Sequence, residues 1–239
     1  MKELALNRQK IFQLPKPDAV IFDWDNTLVD TWPLIQAAIN KTMRQMNMDE
    51  WSLHKVQSTV HKSMRESFPQ IFGHEWQKAG EIYKETYRNI KLDNLRLLNN
   101  SLELLKFIYQ KNIPQFLVSN KFGFTLRQEV KKLQLDDLFF SIIGANDADN
   151  DKPSPDPVHL ALMSSEIKID KNIIWFIGDT IADIECALNI GAYPILYGHE
   201  GNISKSIDNK MLTSGDLDNQ DLPVYFDHQE IINQLKKYF

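Results

Sequence analysis

The pattern of apolar and polar residues changes along the chain and predicts two kinds of architecture. Beyond about residue 97, short apolar runs that predict strands alternate with stretches of helical periodicity. The predicted strands are residues 114–118, 141–143, 173–177, 193–197 and 224–226, and the predicted helices lie around residues 102–108, 124–135, 155–166, 181–190 and 229–237. Such alternation is typical of an α/β fold with a parallel sheet and right-handed crossovers.

A first strand is predicted at residues 19–22, and a helical block separates it from the other strands. Thr31 is suited to cap a helix whose first turn holds Pro33. Apolar residues at spacings of three and four predict helices around residues 34–46, 52–60 and 76–90, and no strand is predicted before about residue 96. The block would overhang the carboxyl end of the first strand, a position that suits a lid.

These patterns divide the chain into three parts. The α/β core is discontinuous and comprises residues 18–30 and 97–239, and an all-helical cap comprises residues 31–96. Residues 1–17 form an N-terminal extension, and the polar, irregular residues 198–222 are expected to be a surface loop.

Composition argues against several classes of protein. The 239 residues carry a net charge of −5, and no tract of Lys or Arg indicates a nucleic-acid or membrane surface. The single cysteine, Cys186, rules out an internal disulfide and fits a reducing compartment. We find neither the apolar core of a signal peptide nor an apolar run of the ~20 residues that span a bilayer. We therefore expect a cytoplasmic protein that acts on a small molecule, in an oligomeric state that the sequence leaves open.

Two aspartates follow the first predicted strand. Asp23 and Asp25 lie one residue apart at the end of the strand, where ligands bind in open α/β sheets. Their charges repel, and burial is costly for each carboxylate unless a cation or hydrogen bonds compensate. A divalent cation with oxygen ligands is the natural compensation. Taken alone, such a pair is equally typical of a solvated turn. The residues at the ends of the other predicted strands are therefore needed to distinguish a ligand site from a turn.

Three further segments should reach the same edge of the sheet with complementary chemistry. Their polar side chains are Ser119, Asn120, Lys152, Asp179 and Asp183. Carboxylate oxygens suit Mg²⁺, which takes a few protein ligands together with water and substrate phosphate. The combination of carboxylates, a lysine and a hydroxyl therefore predicts a site for Mg²⁺ and a phosphate group.

In their order and spacing, these segments resemble the motifs of the haloacid dehalogenase-like phosphohydrolases. The segments are Asp23-Trp24-Asp25-Asn26-Thr27, Ser119-Asn120, Lys152-Pro153 and Gly178-Asp179-Thr180-x-x-Asp183. The last two, within Lys-Pro-x-Pro-Asp-Pro and Gly-Asp-Thr-x-x-Asp-Ile-x-x-Ala, look like the phosphoglycolate phosphatase branch. The resemblance covers nearly all of residues 18–239 and implies a Rossmann-like parallel sheet flanked by helices, with an inserted α-helical cap.

The resemblance also implies a role for each matched residue. Asp23 would be the nucleophile that forms an aspartyl-phosphate and a ligand of the Mg²⁺ cofactor. Asp25 would be general acid and then general base, and its backbone carbonyl would join Asp179 in binding the metal. The implied phosphate-binding residues are Thr27, Ser119, Asn120 and Lys152. Asp183 would orient Lys152 or a metal-bound water; the alternative is a carboxylate stabilised by the dipole at a helix N-terminus.

Two further features bear on this resemblance. Trp24 is bulkier than the residue usual between the two aspartates, and we expect crowding there without loss of function. Residues 63–67 of the cap resemble the stretch that carries a substrate-phosphate arginine in β-phosphoglucomutases. Arg65, with His61 and Lys62 close by, is therefore the predicted substrate contact, and the alternative is an exposed, charged helix face.

The predicted activity is Mg²⁺-dependent hydrolysis of a small phosphate monoester, such as a phosphoglycolate-like compound, a sugar phosphate or a nucleotide monophosphate. Asp25 argues against haloacid dehalogenases and P-type ATPases, which lack the second aspartate. A β-phosphoglucomutase-like hexose-phosphate mutase is an alternative, although Gly178 stands where mutases usually carry Glu. A catalytically idle binding or regulatory module is a second alternative, which the presence of both aspartates and Lys152 disfavours.

Overall fold

The core of the protein is a parallel sheet whose middle strand leads into the two aspartates. The computed structural model describes residues 14–60, 63–89, 95–198 and 222–239. Its strands are β1 (Ala19–Phe22), β2 (Val29–Asp30), β3 (Arg96–Leu97), β4 (Gln115–Phe122), β5 (Ser141–Ala145), β6 (Ile174–Gly178), β7 (Tyr193–Tyr197) and β8 (Val224–Tyr225). Within these ranges, six strands form the main sheet in the order β5-β4-β1-β6-β7-β8, and all its pairs are parallel. The predicted parallel α/β architecture is confirmed.

Five helices cover the two faces of this sheet, and four others lie between β2 and β3 in the described ranges. They are α1 (Trp32–Gln45), α2 (Leu53–Thr59), α3 (Met64–Phe72), α4 (Trp76–Asn89), α5 (Ser101–Gln110), α6 (Gly123–Lys132), α7 (Asp156–Leu162), α8 (Ile181–Asn189) and α9 (His228–Leu235). Val20 and Phe22 of β1 pack into one apolar cluster, and Ala19 and Ile21 pack into the cluster on the opposite face. A parallel strand covered on both faces needs an uninterrupted apolar sequence, which the run before Asp23 supplies.

The segment between β2 and β3 is helical wherever the structure describes it. β2 and β3 pair antiparallel at its base, with Val29 opposite Leu97. Helix α1 packs against α2 and α4, and α3 packs against α4. At the start of α2, the side chain of Ser52 accepts a hydrogen bond of 3.3 Å from the amide of Lys55, which is the bond expected of a helix cap. These four helices are called the cap below.

Local structure differs from the sequence-based prediction at several places, one of which is helix α7, predicted to reach residue 166 but ending at Leu162. Strand β4 continues to Phe122 with a register shift after Val118, so Ser119 and Asn120 lie within the strand end instead of following it. Helix α3 escapes prediction because it is short and contains Pro69, which removes one backbone donor and interrupts the apolar period. The two-residue strands β2 and β3 are too short to produce an alternating pattern.

Parts of two predicted segments cannot be compared with the structure. Residues 1–13 of the predicted extension and residues 199–221 of the predicted loop lie outside the described ranges. Among the helices that are described, none combines the length and the apolar character needed to cross a membrane.

Candidate active site

The carboxyl ends of three neighbouring strands bring the predicted site residues together. Phe22 of β1 is in register with Leu117 of β4 and with Ile177 of β6. Asp23 follows directly, and its amide donates a 2.9 Å hydrogen bond to the carbonyl of Ile177. The residues just beyond these three positions therefore share one edge of the sheet, as expected for a ligand site in an open α/β fold.

Lys152 lies at the centre of this edge and is almost completely buried. Its ammonium Nζ donates hydrogen bonds of 2.7 Å to Asp23 Oδ1, 2.6 Å to Asp183 Oδ1 and 2.7 Å to the carbonyl of Val118. Burial acts to lower the pKa of Lys152, but the charges of Asp183 and Asp23 raise it above its usual value. The three donors of the ammonium are thus satisfied, and its positive charge is fixed beside Asp23.

The backbone at Lys152 is held by Asn120. The amide of Lys152 donates to Asn120 Oδ1 at 2.9 Å, and Asn120 Nδ2 donates to the carbonyl of Lys152 at 3.0 Å. This reciprocal pair fixes the lysine from strand β4, across a long separation in sequence. The side chain of Asn120 therefore acts on the phosphate site through Lys152, and a direct contact of Asn120 with phosphate stays a prediction.

Three carboxylates surround the lysine. One oxygen each of Asp23, Asp179 and Asp183 lie within 4.8 Å of one another. Burial is the main cause that raises the pKa of Asp23 to about 6, with Lys152 opposing the shift and the neighbouring carboxylates adding to it. Burial and the charge of Asp23 likewise raise the pKa of Asp179 well above its ordinary value. A single buried ammonium does not balance two buried carboxylates and a half-buried one, so the donor set fits a hard divalent cation.

Asp183 performs both of the roles weighed for it from sequence. One oxygen accepts from Lys152, and the other accepts from the amide of Thr180 at 3.0 Å and from its hydroxyl at 2.6 Å. Asp183 thus caps helix α8 and orients the lysine with the same carboxylate. Both its oxygens are occupied by hydrogen bonds, whereas Asp179 accepts only a long 3.4 Å bond from Thr27 Oγ1 among the bonds seen here.

Thr27 and Ser119 occupy different layers of the site. Thr27 is fully buried, and its hydroxyl points to Asp179, which places it behind the carboxylates. Ser119 lines the cavity next to Asp23, and its hydroxyl oxygen accepts a 3.3 Å bond from the amide of Lys121. A serine hydroxyl that accepts one bond keeps its proton for donation, so Ser119 is suited to bind a phosphoryl oxygen. The assignment of Thr27 to phosphate stays a prediction.

Asp25 belongs to a buried network that the sequence analysis misses. Lys121 forms ion pairs with Asp25 and, at 3.0 Å, with Glu129 Oε2. The same Glu129 oxygen accepts a 2.6 Å hydrogen bond from the indole Nε1 of Trp24. Burial acts to lower the pKa of Lys121, but Asp25 and Glu129 raise it well above its usual value.

A sequence signal for this network exists. Glu129 lies three residues after Leu126 and one before Val130, so it occupies the apolar stripe that packs helix α6 onto the sheet. A fully buried glutamate needs a partner, and Lys121 and Trp24 supply it. The indole of Trp24, between the two aspartates, is therefore anchored to helix α6 by a specific hydrogen bond.

Arg65 reaches from cap helix α3 to the core. Its guanidinium holds both oxygens of Asp151, each at 2.5 Å, and donates a 3.0 Å bond to the carbonyl of Asp149. Asp151 precedes Lys152 directly, so the cap is fastened to the core beside this lysine. Arg65 also lines the cavity, where a substrate contact was the prediction. His61 and Lys62, predicted to lie near Arg65, are outside the described residues.

Core and cap enclose one cavity of about 140 Å³. The core contributes Asp23, Asp25, Ser119, Asn120, Lys121, Lys152 and Asp179. The cap contributes mainly apolar and aromatic side chains of α1, α3 and α4, together with Arg65. The predicted nucleophile, acid, metal ligands and phosphate-binding groups, with the exception of Thr27, thus line one partly open cavity under the cap, which is the arrangement a catalytic site requires.

Comparison with known proteins agrees with this geometry. Residues 20–196 match the family model described as haloacid dehalogenase-like hydrolase. A phosphoglycolate phosphatase of Aquifex aeolicus is 28% identical over 179 residues, which cover 72% of this chain and 80% of that protein. A pyrophosphatase, PpaX, of Listeria welshimeri is 26% identical over 175 residues, which cover 73% of this chain and 80% of that protein.

Solved structures show the same architecture. A haloacid dehalogenase-superfamily hydrolase from Ehrlichia chaffeensis is 30% identical, with a TM-score of 0.61 over 94% of this chain and 98% of that one. A predicted phosphoglycolate phosphatase from Haemophilus somnus is 19% identical, with a TM-score of 0.72 over 92% of this chain and 98% of that one. At the lower identity, the likeness concerns the fold alone.

Proposed function

Because the chain belongs to the haloacid dehalogenase-like hydrolases and is a phosphatase of that family, we propose that it hydrolyses a small phosphate monoester through an aspartyl-phosphate on Asp23. The observation that carries this proposal is the position of Lys152, whose ammonium lies 2.7 Å from Asp23 Oδ1 at the base of the cavity. A fixed positive charge beside a carboxylate is what in-line attack on a negatively charged phosphoryl group needs.

In the first step, an Asp23 oxygen attacks phosphorus and the bond to the leaving alcohol breaks. Oδ1 is held by Lys152, which leaves the second oxygen of Asp23 to face the cavity. As the ester forms, Asp23 loses its charge, and the Lys152 ammonium then stabilises the phosphoryl oxygens. The Ser119 hydroxyl donates to one of these oxygens from the neighbouring strand end.

Asp25 carries out the two proton transfers of the reaction. It gives a proton to the leaving oxygen in the first step and takes one from the attacking water in the second. In the structure its carboxylate is held by Lys121, which also pairs with Glu129. Glu129 therefore holds Lys121 in place and still balances its positive charge when Asp25 turns toward the leaving oxygen.

We infer that Asp23, Asp179 and the backbone carbonyl of Asp25 would hold a divalent cation, for which Mg²⁺ is the natural choice. When bound, the cation supplies charge neutralisation between the carboxylate nucleophile and the phosphoryl oxygens. The residues themselves do the orienting: Thr27 donates to Asp179, and Asp183 holds Lys152 in place.

Gly178 supports phosphatase over mutase activity. A Cβ atom at this position would lie 2.3 Å from the carboxyl carbon of Asp183. This geometry therefore has no room for the glutamate that mutases usually carry there, as long as Asp183 caps α8 and holds Lys152.

The proposal is tested by phosphate release from a broad panel of phosphate esters, with Mg²⁺ and with chelator. We expect release that depends on the metal and is abolished in Asp23→Asn, which keeps the shape and removes the nucleophile. Release that survives in Asp23→Asn rules out the aspartyl-phosphate. Conversion of β-glucose 1-phosphate to the 6-phosphate without net release identifies a mutase instead.

A further inference from the structure

One wall of the cavity takes no part in the catalytic steps. Apolar and aromatic side chains of three cap helices form it: Trp32, Ile35 and Ile39 of α1, Phe68 of α3, and Tyr83 and Tyr87 of α4. The Tyr83 ring centroid lies 5.4 Å from that of Phe68 and 5.8 Å from that of Tyr87, so these rings support one another. A wall of this kind recognises an apolar or aromatic body.

Each described cation that lines the cavity already has a carboxylate partner. The pairs are Lys152 with Asp23 and Asp183, Lys121 with Asp25 and Glu129, Arg65 with Asp151, and Lys84 with Glu81. Carboxylates therefore outnumber cations in and directly behind the described lining. A second anionic group on the substrate would find no unpaired cation among the described lining residues, which disfavours it in a space of low dielectric.

Two hydroxyl groups on lining residues are buried without a hydrogen-bond partner in the described structure. They are Ser63 Oγ, at the start of α3, and the phenol oxygen of Tyr87. Both residues are more than nine-tenths buried. Unpaired buried hydroxyls are uncommon, and a neutral hydroxyl or carbonyl group of a ligand would satisfy them.

We propose that the leaving group of the substrate is an uncharged alcohol with an aromatic or apolar body. This inference rests on the phosphatase function proposed above and specifies its substrate class. It separates this chain from a protein that acts on phosphoglycolate, whose leaving group carries a carboxylate, and from one that acts on pyrophosphate, whose leaving group is a second phosphate. The cap wall takes the body of the alcohol, and the core takes the single phosphoryl group.

Two pairs of matched probes test the proposal with the wild-type protein and Mg²⁺. Phosphoglycolate is compared with 2-hydroxyethyl phosphate, which replaces the carboxylate by a neutral hydroxymethyl group of similar size. Phenyl phosphate bearing a 4-carboxylate is compared with phenyl phosphate bearing a 4-hydroxymethyl group. The quantity measured is kcat/KM for phosphate release.

We expect the uncharged member of each pair to be preferred about tenfold or more, and the aryl pair to exceed the glycol pair. A preference for the carboxylate-bearing probes overturns the inference and leaves the phosphatase function intact. Absence of release from all four probes and from the wider ester panel overturns the phosphatase function and the inference with it.

A variant outside the catalytic machinery probes the charge argument directly. Glu81 is largely exposed and pairs with Lys84 at 2.9 Å, so Glu81→Gln leaves a lining cation without its partner. We expect the relative kcat/KM for the carboxylate probes to rise several-fold. Glu75→Gln is the matched control, because Glu75 pairs with Lys78 at 3.0 Å on an exposed helix turn and neither residue lines the cavity.

An unchanged ratio in Glu81→Gln overturns the electrostatic part of the inference.

Discussion

Trp24 Nε1 donates a 2.6 Å hydrogen bond to Glu129 Oε2, which joins the residue between Asp23 and Asp25 to a fully buried glutamate on helix α6. The same carboxylate oxygen lies 3.0 Å from Lys121 Nζ, and that ammonium also holds Asp25. The proposed acid/base residue, Asp25, is therefore positioned from two directions: through its chain neighbour Trp24, and through its ion pair with Lys121. Both links depend on Glu129.

Removal of the indole donor tests the first link. Trp24→Phe deletes a hydrogen bond to a charged, buried acceptor, and we expect the free energy of unfolding to fall by about 2–3 kcal/mol. We also expect kcat to fall about tenfold, because Asp25 loses its fixed position. Denaturant unfolding and steady-state kinetics measure the two effects.

Trp175→Phe is the control for this prediction. Trp175 is equally buried and donates a 3.0 Å bond to the carbonyl of Pro15, but it lies on β6 away from Asp25. We expect this variant to lose stability with kcat unchanged. Equal losses of kcat in both variants would show that the effect is a general consequence of removing a buried indole.

Glu129→Gln tests the second link. The amide still accepts from Trp24, but Lys121 retains Asp25 as its one carboxylate partner among the described residues, so Asp25 turns less readily toward the leaving oxygen. We expect kcat to fall about tenfold with little change in KM. If Asp25 acts as the acid, esters of alkyl alcohols should lose more activity than 4-nitrophenyl phosphate, whose leaving group needs no proton. A uniform loss across both ester types contradicts the positioning role.

The sequence could predict those residues whose role follows from the few residues around them. The uninterrupted apolar run of residues 19–22 identifies a strand buried on both faces, and Asp23 follows it directly. Parallel strands align their carboxyl ends, so Ser119 and Asp179 could be placed beside Asp23 before any coordinates were known. Lys152 follows the same logic through its Pro-rich context and its resemblance to the family.

The residues that sequence could not place depend on partners far along the chain. Arg65 and Asp151 are separated by 86 positions, and nothing in the short segment around either residue indicates the other. Glu129 carried a signal, since it interrupts an apolar stripe, but its partners Trp24 and Lys121 come from two different strand ends. Such pairs form because the sheet packs distant segments against one another, and the local pattern of apolar and polar residues gives little information about which segments meet.

Arg65 and Asp151 fasten the cap to the core by a two-pronged ion pair, and its geometry should matter more than its charge. Arg65→Lys keeps the charge but loses the planar fork, so we expect kcat/KM to fall about three- to tenfold. Amide hydrogen exchange in helix α3 should become faster, because the cap opens more often. Mass spectrometry of exchanged peptides measures this directly.

Arg127→Lys provides the matched control for the Arg65–Asp151 ion pair. Arg127 holds both oxygens of Asp147 at 2.6 Å and 3.1 Å, but both residues belong to the core and the pair is more exposed. We expect neither faster exchange in α3 nor a change in kcat/KM. Faster exchange in both variants would mean that the cap is not held by the Arg65–Asp151 pair in particular.

Asp23→Asn should stabilise the metal-free protein at neutral pH, although it abolishes activity. Burial raises the pKa of Asp23 to about 6 from an ordinary value of 3.8. Between these two values the unfolded chain releases this proton before the folded protein does, so Asp23 makes stability fall as pH rises. At pH 7 the variant lacks this penalty, which is of the order of 1–3 kcal/mol and corresponds to several degrees in Tm.

The pH dependence of the difference between the two proteins distinguishes this effect from a simple change in packing. With chelator present, the Tm of Asp23→Asn should match that of the wild type near pH 4 and exceed it increasingly up to about pH 7. Asp30→Asn, at an exposed carboxylate of β2, should show no such trend. Added Mg²⁺ should raise the Tm of the wild type more than that of Asp23→Asn, because the variant lacks one of the carboxylates proposed to bind the cation. A wild type that is more stable than Asp23→Asn at pH 7 in chelator would mean that Lys152 compensates the buried charge of Asp23 without a metal.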